Sequence, residues 1–303
     1  MKIIFAGTPA AAVPTLRALI DSGHDVVSVL TRPDAPVGRK RVLTPSPVAQ
    51  VAQEAGIPVM YASRIDESIH QHISKLGADL GVVVAYGALL PQATLDAPRL
   101  GWINLHFSQL PHWRGAAPVQ WQIISGATEA GSSVFSLVEE LDAGKIFDTR
   151  SYAINPDETS GELLSRLSEL GSHQVLEVID SLATGKAQFK DQVGESTYAR
   201  KLSLEDGHLD TSSHVAVVYD RFRGVTPEPG AFVLVDSERL KILSMARSEH
   251  TVPPGCIRIR EKKTILGCSD GSLELITVQP AGKQGMSASD WFRGLRVEEV
   301  EVS

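Results

Sequence analysis

Residues 101–122 read GWINLHFSQLPHWRGAAPVQWQ. Trp102, Ile103 and Leu105 form an apolar run that predicts the end of a buried strand, and Asn104 and His106 are set into it. Side chains alternate along a strand, so these two polar groups share a face. A buried carboxamide beside a buried imidazole needs hydrogen-bond partners or a substrate, because an unpaired polar group away from water costs stability. Pro111, Gly115 and Pro118 then stop the strand and force an irregular loop before a helical pattern from about Ala117 to Ser125. Open α/β sheets place their sites at such strand ends. On spacing alone, His106 fits a hydrogen-bonded structural residue as well as a reacting one.

Working outward, apolar runs at Lys2 to Ala6, Asp25 to Leu30, Pro58 to Met60 and Leu80 to Val84 alternate with helical patterns after Pro9, from Val48 to Ala55 and from Ile65 to Leu76. Repeated βα units imply a doubly wound, mainly parallel sheet. The GTP tripeptide at residues 7–9 is not a GxGxxG fingerprint, which argues against a nicotinamide cofactor. Ser132 to Val138 predicts a further strand, and Ser160 to Ala183 an amphipathic helix covering the sheet. From Gly185 to about Ser203 the pattern fails and polar residues dominate, predicting a linker. A short helix near residues 212–221 and five short strands, at 231–235, 240–244, 256–260, 264–267 and 273–278, then suggest a small β-barrel. The expected division is a domain over 1–185, a linker over 186–204 and a second domain over 205–303.

With 303 residues, 43% hydrophobic and 21% charged, the chain suits a globular protein of two such domains. Its net charge of -7 gives no general affinity for polyanions, so any nucleic-acid contact must rest on a local basic patch. Two stretches offer one. The four-proline segment TRPDAPVGRKRVLTPSP at 31–47 carries Arg32, Arg39, Lys40 and Arg41, and cations outnumber acids between Arg239 and Lys263. Cys256 and Cys268 form no CxxC pair and no zinc-ligand spacing, so they are expected to be reduced thiols, and no metal is expected. The apolar stretch in MKIIFAGTP is too short for a signal peptide, and no uncharged apolar run reaches spanning length. A cytoplasmic protein with no membrane partner, acting as a monomer, is the expectation.

The run NLHFSQLPHWRGAAPVQW resembles the signature of the folate-dependent formyltransferases. Its RGAAP continuation is similar to the methionyl-tRNA branch of that family, as are FAGTP at 5–9, VVVAYGALLP at 82–91, LDAG at 141–144 and QPAGKQGMSA at 279–288. The resemblance spans essentially the whole chain. It implies a Rossmann-like formyltransferase domain followed by an OB-like barrel, with 10-formyltetrahydrofolate as co-substrate and initiator methionyl-tRNA as partner. It also implies that Asn104 and His106 line the formyl-folate cleft, that Ser108, Gln109, Leu110 and Pro111 touch the folate, and that Ala85-Tyr86-Gly87 borders its pterin ring. Asp142, which precedes Ala-Gly, stands where the family has its catalytic aspartate. Arg39, Lys40 and Arg41 lie on a loop that reaches tRNA in the family, about one residue shorter here. Phe107 and Gln109 depart from the small residue and leucine usual at those positions.

Formyl transfer to an amine is acyl transfer, which needs an oxyanion stabiliser, a proton for the departing nitrogen and an acceptor for the amine's proton. The expectation is that Asn104 donates to the oxyanion with His106 assisting, while Asp142 keeps His106 charged and relays the amine proton. Two other readings are open: a formyltransferase or formyl-folate hydrolase acting without tRNA, on glycinamide ribonucleotide or an amino-sugar nucleotide in the former case, and a non-catalytic RNA- or folate-binding module.

Overall fold

Strand β1 (Lys2–Gly7) has five of its six residues buried, the pattern of a parallel strand covered on both faces. The structure, a computed structural model, describes residues 1–38 and 41–303. Its contacts divide into two units: Met1–Pro118, Ala130–Tyr152 and Leu164–Ala199 in the first, Val119–Glu129, Ala153–Leu163 and Arg200–Ser303 in the second. After β1 come α1 (Val13–Asp21), β2 (Asp25–Thr31), β3 (Ala35–Val37), β4 (Val42–Thr44), α2 (Pro47–Glu54) and β5 (Val59–Tyr61). They are followed by α3 (Glu67–Lys75), β6 (Leu80–Val84), α4 (Gln92–Leu95), β7 (Trp102–His106), β8 (Arg114–Gly115), α5 (Pro118–Ile124), β9 (Glu129–Ser136) and β10 (Ile146–Ala153). Helix α6 (Ser160–Ala183) and β11 (Tyr198–Ala199) complete this part of the chain.

The main sheet has the order β10-β9-β7-β6-β1-β2-β5. Strands β7, β6, β1, β2 and β5 are parallel neighbours, as the alternating sequence predicts. The chain builds outward from β1 in one direction through β2 and β5, then returns to build in the other through β6 and β7. Beyond β7 the sheet changes sense, since β9 runs antiparallel to it, with His106 opposite Ser133. Edge strand β10 has no counterpart in the sequence reading. Asp148 and Arg150 break up its apolar pattern, and Arg150 pairs with Asp148 and with Glu177 of α6. Charge on an exposed edge discourages pairing with another chain.

Gly81 of β6 lies opposite Trp102 of β7. A Cβ there would sit 2.0 Å from the indole, which is 2% exposed and whose Nε1 donates to the Thr94 carbonyl at 2.8 Å. With the ring pinned, Gly81→Ala should destabilise the first unit by about 1–3 kcal/mol. Denaturant unfolding reads this as a lowered midpoint at unchanged slope. An unchanged midpoint would show that the ring yields.

The proline-rich segment expected as a plain loop contains a hairpin, β3 with β4, in which Pro36 pairs with Leu43. Gly38 and Arg41 adopt positive φ, 70° and 49°, at its tip, and Ser46 caps α2 by accepting from the Ala49 amide. Arg39 and Lys40 lie outside the described residues, while Arg41 is described and exposed. Residues 190–199, within the expected linker, belong to the first unit. Lys190 exchanges two backbone hydrogen bonds with Ile146, and β11 pairs in parallel with β8.

In the second unit, α7 (Val215–Val225) precedes β12 (Ala231–Val235), β13 (Glu238–Ser248), β14 (Cys256–Arg260), β15 (Lys263–Gly267) and β16 (Ser272–Gln279), which are the five expected strands. Then come β17 (Met286–Ser287), α8 (Ala288–Leu295), whose Ala288, Trp291 and Phe292 are buried, and β18 (Val300–Glu301). The antiparallel order is β12-β13-β16-β15-β14-β18, with β17 on β16. The sheet curls until its ends meet, Leu234 and Ser303 exchanging two backbone hydrogen bonds. Its core includes Tyr219, Phe222, Leu273, Trp291 and Phe292. Of the cations counted between residues 239 and 263, Arg239, Arg258 and Lys263 pair with Glu205, Glu299 and Glu274, so the net positive surface is smaller than the sequence count. Cys256 and Cys268 form no disulfide, and burial pushes the Cys268 thiol up to about 12. No described helix is long and apolar enough to cross a membrane.

Candidate active site

A cavity of about 550 Å³ opens at the ends of β6 and β7, the size of small-molecule sites. Its walls are Val83 and the tail Ala85 to Leu90, then Asn104 to Phe107, then Gly115 and Ala116, and finally the turn from Leu137 to Asp142. The tail makes room by turning left-handed at Ala85 (φ 48°) and Gly87 (φ 84°). Tyr86 anchors it from below: the ring is 1% exposed, its hydroxyl donates to the Ala62 carbonyl at 2.7 Å, and burial pushes the phenol up to about 12. From outside, Arg32 donates to the Gly87 carbonyl at 2.7 Å.

Asn104 and His106 reach the cavity from β7, as their alternation predicts. The Nε2 of His106 lies 2.8 Å from the Trp113 carbonyl. A carbonyl only accepts, so Nε2 carries a proton and donates. Trp113 has φ 62°, and its amide donates to Thr197 Oγ1 at 2.8 Å, which fixes the strained residue in place. The other ring nitrogen, Nδ1, stands 3.8 Å from Asp142 Oδ2, an ion-pair distance too long for a hydrogen bond. His106 and Asp142 are 6% and 7% exposed. Asn104 Oδ1 is buried, and nothing among the described residues hydrogen-bonds it. A buried acceptor without a donor costs folding free energy, which points to a ligand N–H or O–H as its partner.

Asp142 arrives on the loop from β9 to β10, which starts beside Trp102, where Leu137 donates to the Trp102 carbonyl, and the Gly115 amide donates to Asp142 Oδ2 at 2.7 Å. Asp142 has φ 49°, a conformation aspartate tolerates better than most residues. Gly144 is sterically required, since a Cβ there would fall 1.7 Å from the Ser136 carbonyl oxygen. Arg114 donates to Glu140 at 2.9 Å, tying the turn to the RGAAP loop.

None of Ser108, Gln109, Leu110 and Pro111 lines the cavity. Several of their polar groups are used in their own turn or on β9: Ser108 Oγ donates to the His112 carbonyl at 2.6 Å, the Gln109 carbonyl accepts from the His112 amide, and Ser133 Oγ of β9 donates to the Ser108 carbonyl. The Gln109 side chain packs toward Gly131, so of the two unusual residues only Phe107 reaches the cavity wall. Three groups absent from the sequence reading of the site, the Trp113 carbonyl, Arg114 and Gln192, complete it. No group of three or more His, Cys, Asp or Glu among the described residues is placed to hold a metal ion.

The formyl transferase family model matches residues 1–179, and the model of the formyl transferase C-terminal domain matches residues 201–296. The chain is 48% identical to a methionyl-tRNA formyltransferase of Paenarthrobacter aurescens over 304 residues, covering 100% of this chain and 99% of that one. Among solved structures, the methionyl-tRNA formyltransferase from Clostridium thermocellum superposes with a TM-score of 0.61 at 17% identity, over 84% of this chain and 96% of that one. An N-formyltransferase from Helicobacter canadensis, solved with folinic acid and dTDP-3-aminofucose, superposes with a TM-score of 0.70 at 15% identity, over 92% of this chain and 99% of that one. At those identities the structural likeness is one of fold, and the sequence match to the relative carries the closer relationship. The chain belongs to the formyltransferase family, among the methionyl-tRNA formyltransferases.

Proposed function

We propose that this cavity is where the chain transfers the formyl group of 10-formyltetrahydrofolate to the α-amino group of initiator methionyl-tRNA. The observation that carries the reading is the meeting of Asn104, His106 and Asp142 at one cavity, with the Asn104 oxygen buried and unpartnered. The apolar walls at Val83, Leu90, Leu95 and Phe107 suit a flat ring system. When bound, the folate supplies an activated formyl carbon, and the chain's own residues do the rest. The Asn104 carboxamide donates from its NH₂ to the oxygen that gains negative charge, and its Oδ1 accepts from the attacking amine. His106, oriented by the Trp113 carbonyl, holds a proton for the departing nitrogen. Asp142 keeps Oδ2 on the Gly115 amide and takes up the amine's proton. Ser108, Gln109, Leu110 and Pro111, which follow β7 directly, are assigned to the folate on the family resemblance. The reaction belongs to translation initiation, which places the protein in the cytoplasm, with residues 1–185 carrying the chemistry and 205–303 contributing to tRNA binding.

Transfer to another amine is the second reading, since the Helicobacter neighbour was solved with an amino-sugar nucleotide. The 48% identity over the full chain favours methionyl-tRNA. Formyl transfer to charged initiator tRNA, measured beside transfer to glycinamide ribonucleotide and an amino-sugar nucleotide, separates the two. Activity confined to a small amine overturns the tRNA assignment.

Arg39, Lys40 and Arg41 are assigned to tRNA phosphates. Each phosphate contact contributes roughly 0.7–0.9 to the slope of log affinity against log salt, so replacing all three by Ala should flatten that slope by about 2–3. Filter binding across a salt series reads it, and an unchanged slope would remove the three residues from the interface.

A further inference from the structure

Gln192 is the least expected group at the site. It lies in the polar stretch after α6, yet its carboxamide is used at both ends. Its Nε2 donates to the Asp142 carbonyl at 2.7 Å and to the Gly144 carbonyl at 2.9 Å. Its Oε1 accepts from Arg114, from Nη2 at 2.8 Å and from Nε at 3.3 Å. The Arg114 side chain is 10% exposed and also pairs with the Glu140 carboxylate, on the turn that carries Asp142. A single amide therefore joins the two segments that hold Asp142: the LDAG turn through its carbonyls, and the RGAAP loop whose Gly115 amide binds the carboxylate.

We infer that Gln192 is a positioning residue for formyl transfer, setting the distance from Asp142 to His106 by clamping the 142–144 turn to Arg114. The inference rests on the reading of Asp142 given above. Asp142 sits at a positive φ, which persists only where surrounding contacts hold it, and the bond from Gln192 to its carbonyl is one such contact. Arginine and lysine offer only donors and carboxylates only acceptors, so the place calls for a side chain that donates to two carbonyls while accepting from a guanidinium. An amide meets both demands. Glutamate in its place keeps the charge-assisted bonds to Arg114 but turns a second acceptor toward the two carbonyls, pushing the turn away. A reacting group displaced by about 1 Å loses on the order of 10²-fold in rate.

The test is a double-mutant cycle in the full-length protein, with formyl transfer to charged initiator tRNA as the assay. Gln192→Glu should lower kcat by about 10- to 100-fold while leaving the KM for formyl-folate within about twofold, since Gln192 does not line the cavity. Combined with Asp142→Asn it should add almost nothing, within about threefold of Asp142→Asn alone, because both changes remove the same function. Gln192→Ala, which frees the carbonyls without opposing them, should fall between Gln192→Glu and the unaltered protein. Multiplicative losses in the double variant, kcat of Gln192→Glu within twofold of the unaltered protein, or a loss of folding in place of a loss of kcat each overturn the inference. Absence of transfer by the unaltered protein overturns the underlying reading and this one with it.

Discussion

Asp142→Asn is expected to lower formyl-transfer turnover by about 10²- to 10⁴-fold, the range for removing a general acid–base group. The substitution isolates chemistry from structure. Asparagine tolerates φ 49° as well as aspartate does, and its side-chain oxygen can still accept the Gly115 amide now bound at 2.7 Å. What disappears is the negative charge 3.8 Å from His106 Nδ1 and the capacity to take up a proton. The thermal midpoint should therefore stay close to that of the unaltered protein while kcat collapses. A single-turnover assay with charged initiator tRNA checks it, and a loss below about tenfold would take Asp142 out of the reaction.

The second large effect is expected at Asn104. Losing one oxyanion donor typically costs about 10²- to 10³-fold in turnover, or about 2.7–4 kcal/mol of transition-state stabilisation. Asn104→Ala should show that loss in kcat with folate binding little changed, because the donor acts on charge that develops only during reaction. Stability should move the opposite way from a usual core truncation. The buried Oδ1 has no donor among the described residues, so removing it gives up no hydrogen bond seen there and relieves an unpaired polar group. Equal or higher thermal stability with crippled turnover would mark Asn104 as kept for chemistry. A marked fall in stability would show that the carboxamide is a structural strut.

Much of the fold could be read because burial leaves a strong mark. Strand β6 is buried throughout, and a run of Leu, Gly and Val with no polar alternation announces a covered parallel strand. Where elements sit at an edge the mark fades. Strand β10 carries Asp148 and Arg150, and the β3–β4 hairpin is built from three-residue strands around Pro36, so neither has a periodic pattern to detect. At the site, Asn104 and His106 could be placed on one face by spacing alone, whereas Asp142 came only with the LDAG resemblance. Ser108 to Pro111 adjoin His106 in sequence, but adjacency cannot say whether a hydroxyl faces a cavity or its own turn, and here it faces the turn. Gln192 gave no signal at all, being one polar residue among many, with its partner carbonyl fifty positions earlier.

That separation bears on how the protein comes to life on the ribosome. Asn104, His106 and Asp142 emerge with the first half of the chain, but the segment that seals them together, Lys190 to Ala199, follows the long helix α6. The contacts that close this span cannot form until residues 190–199 have been synthesised, after α6. A nascent chain thus carries the groups proposed to react before the strap exists, and if Gln192 positions Asp142, competence waits until the strap has paired with Arg114 and Ile146.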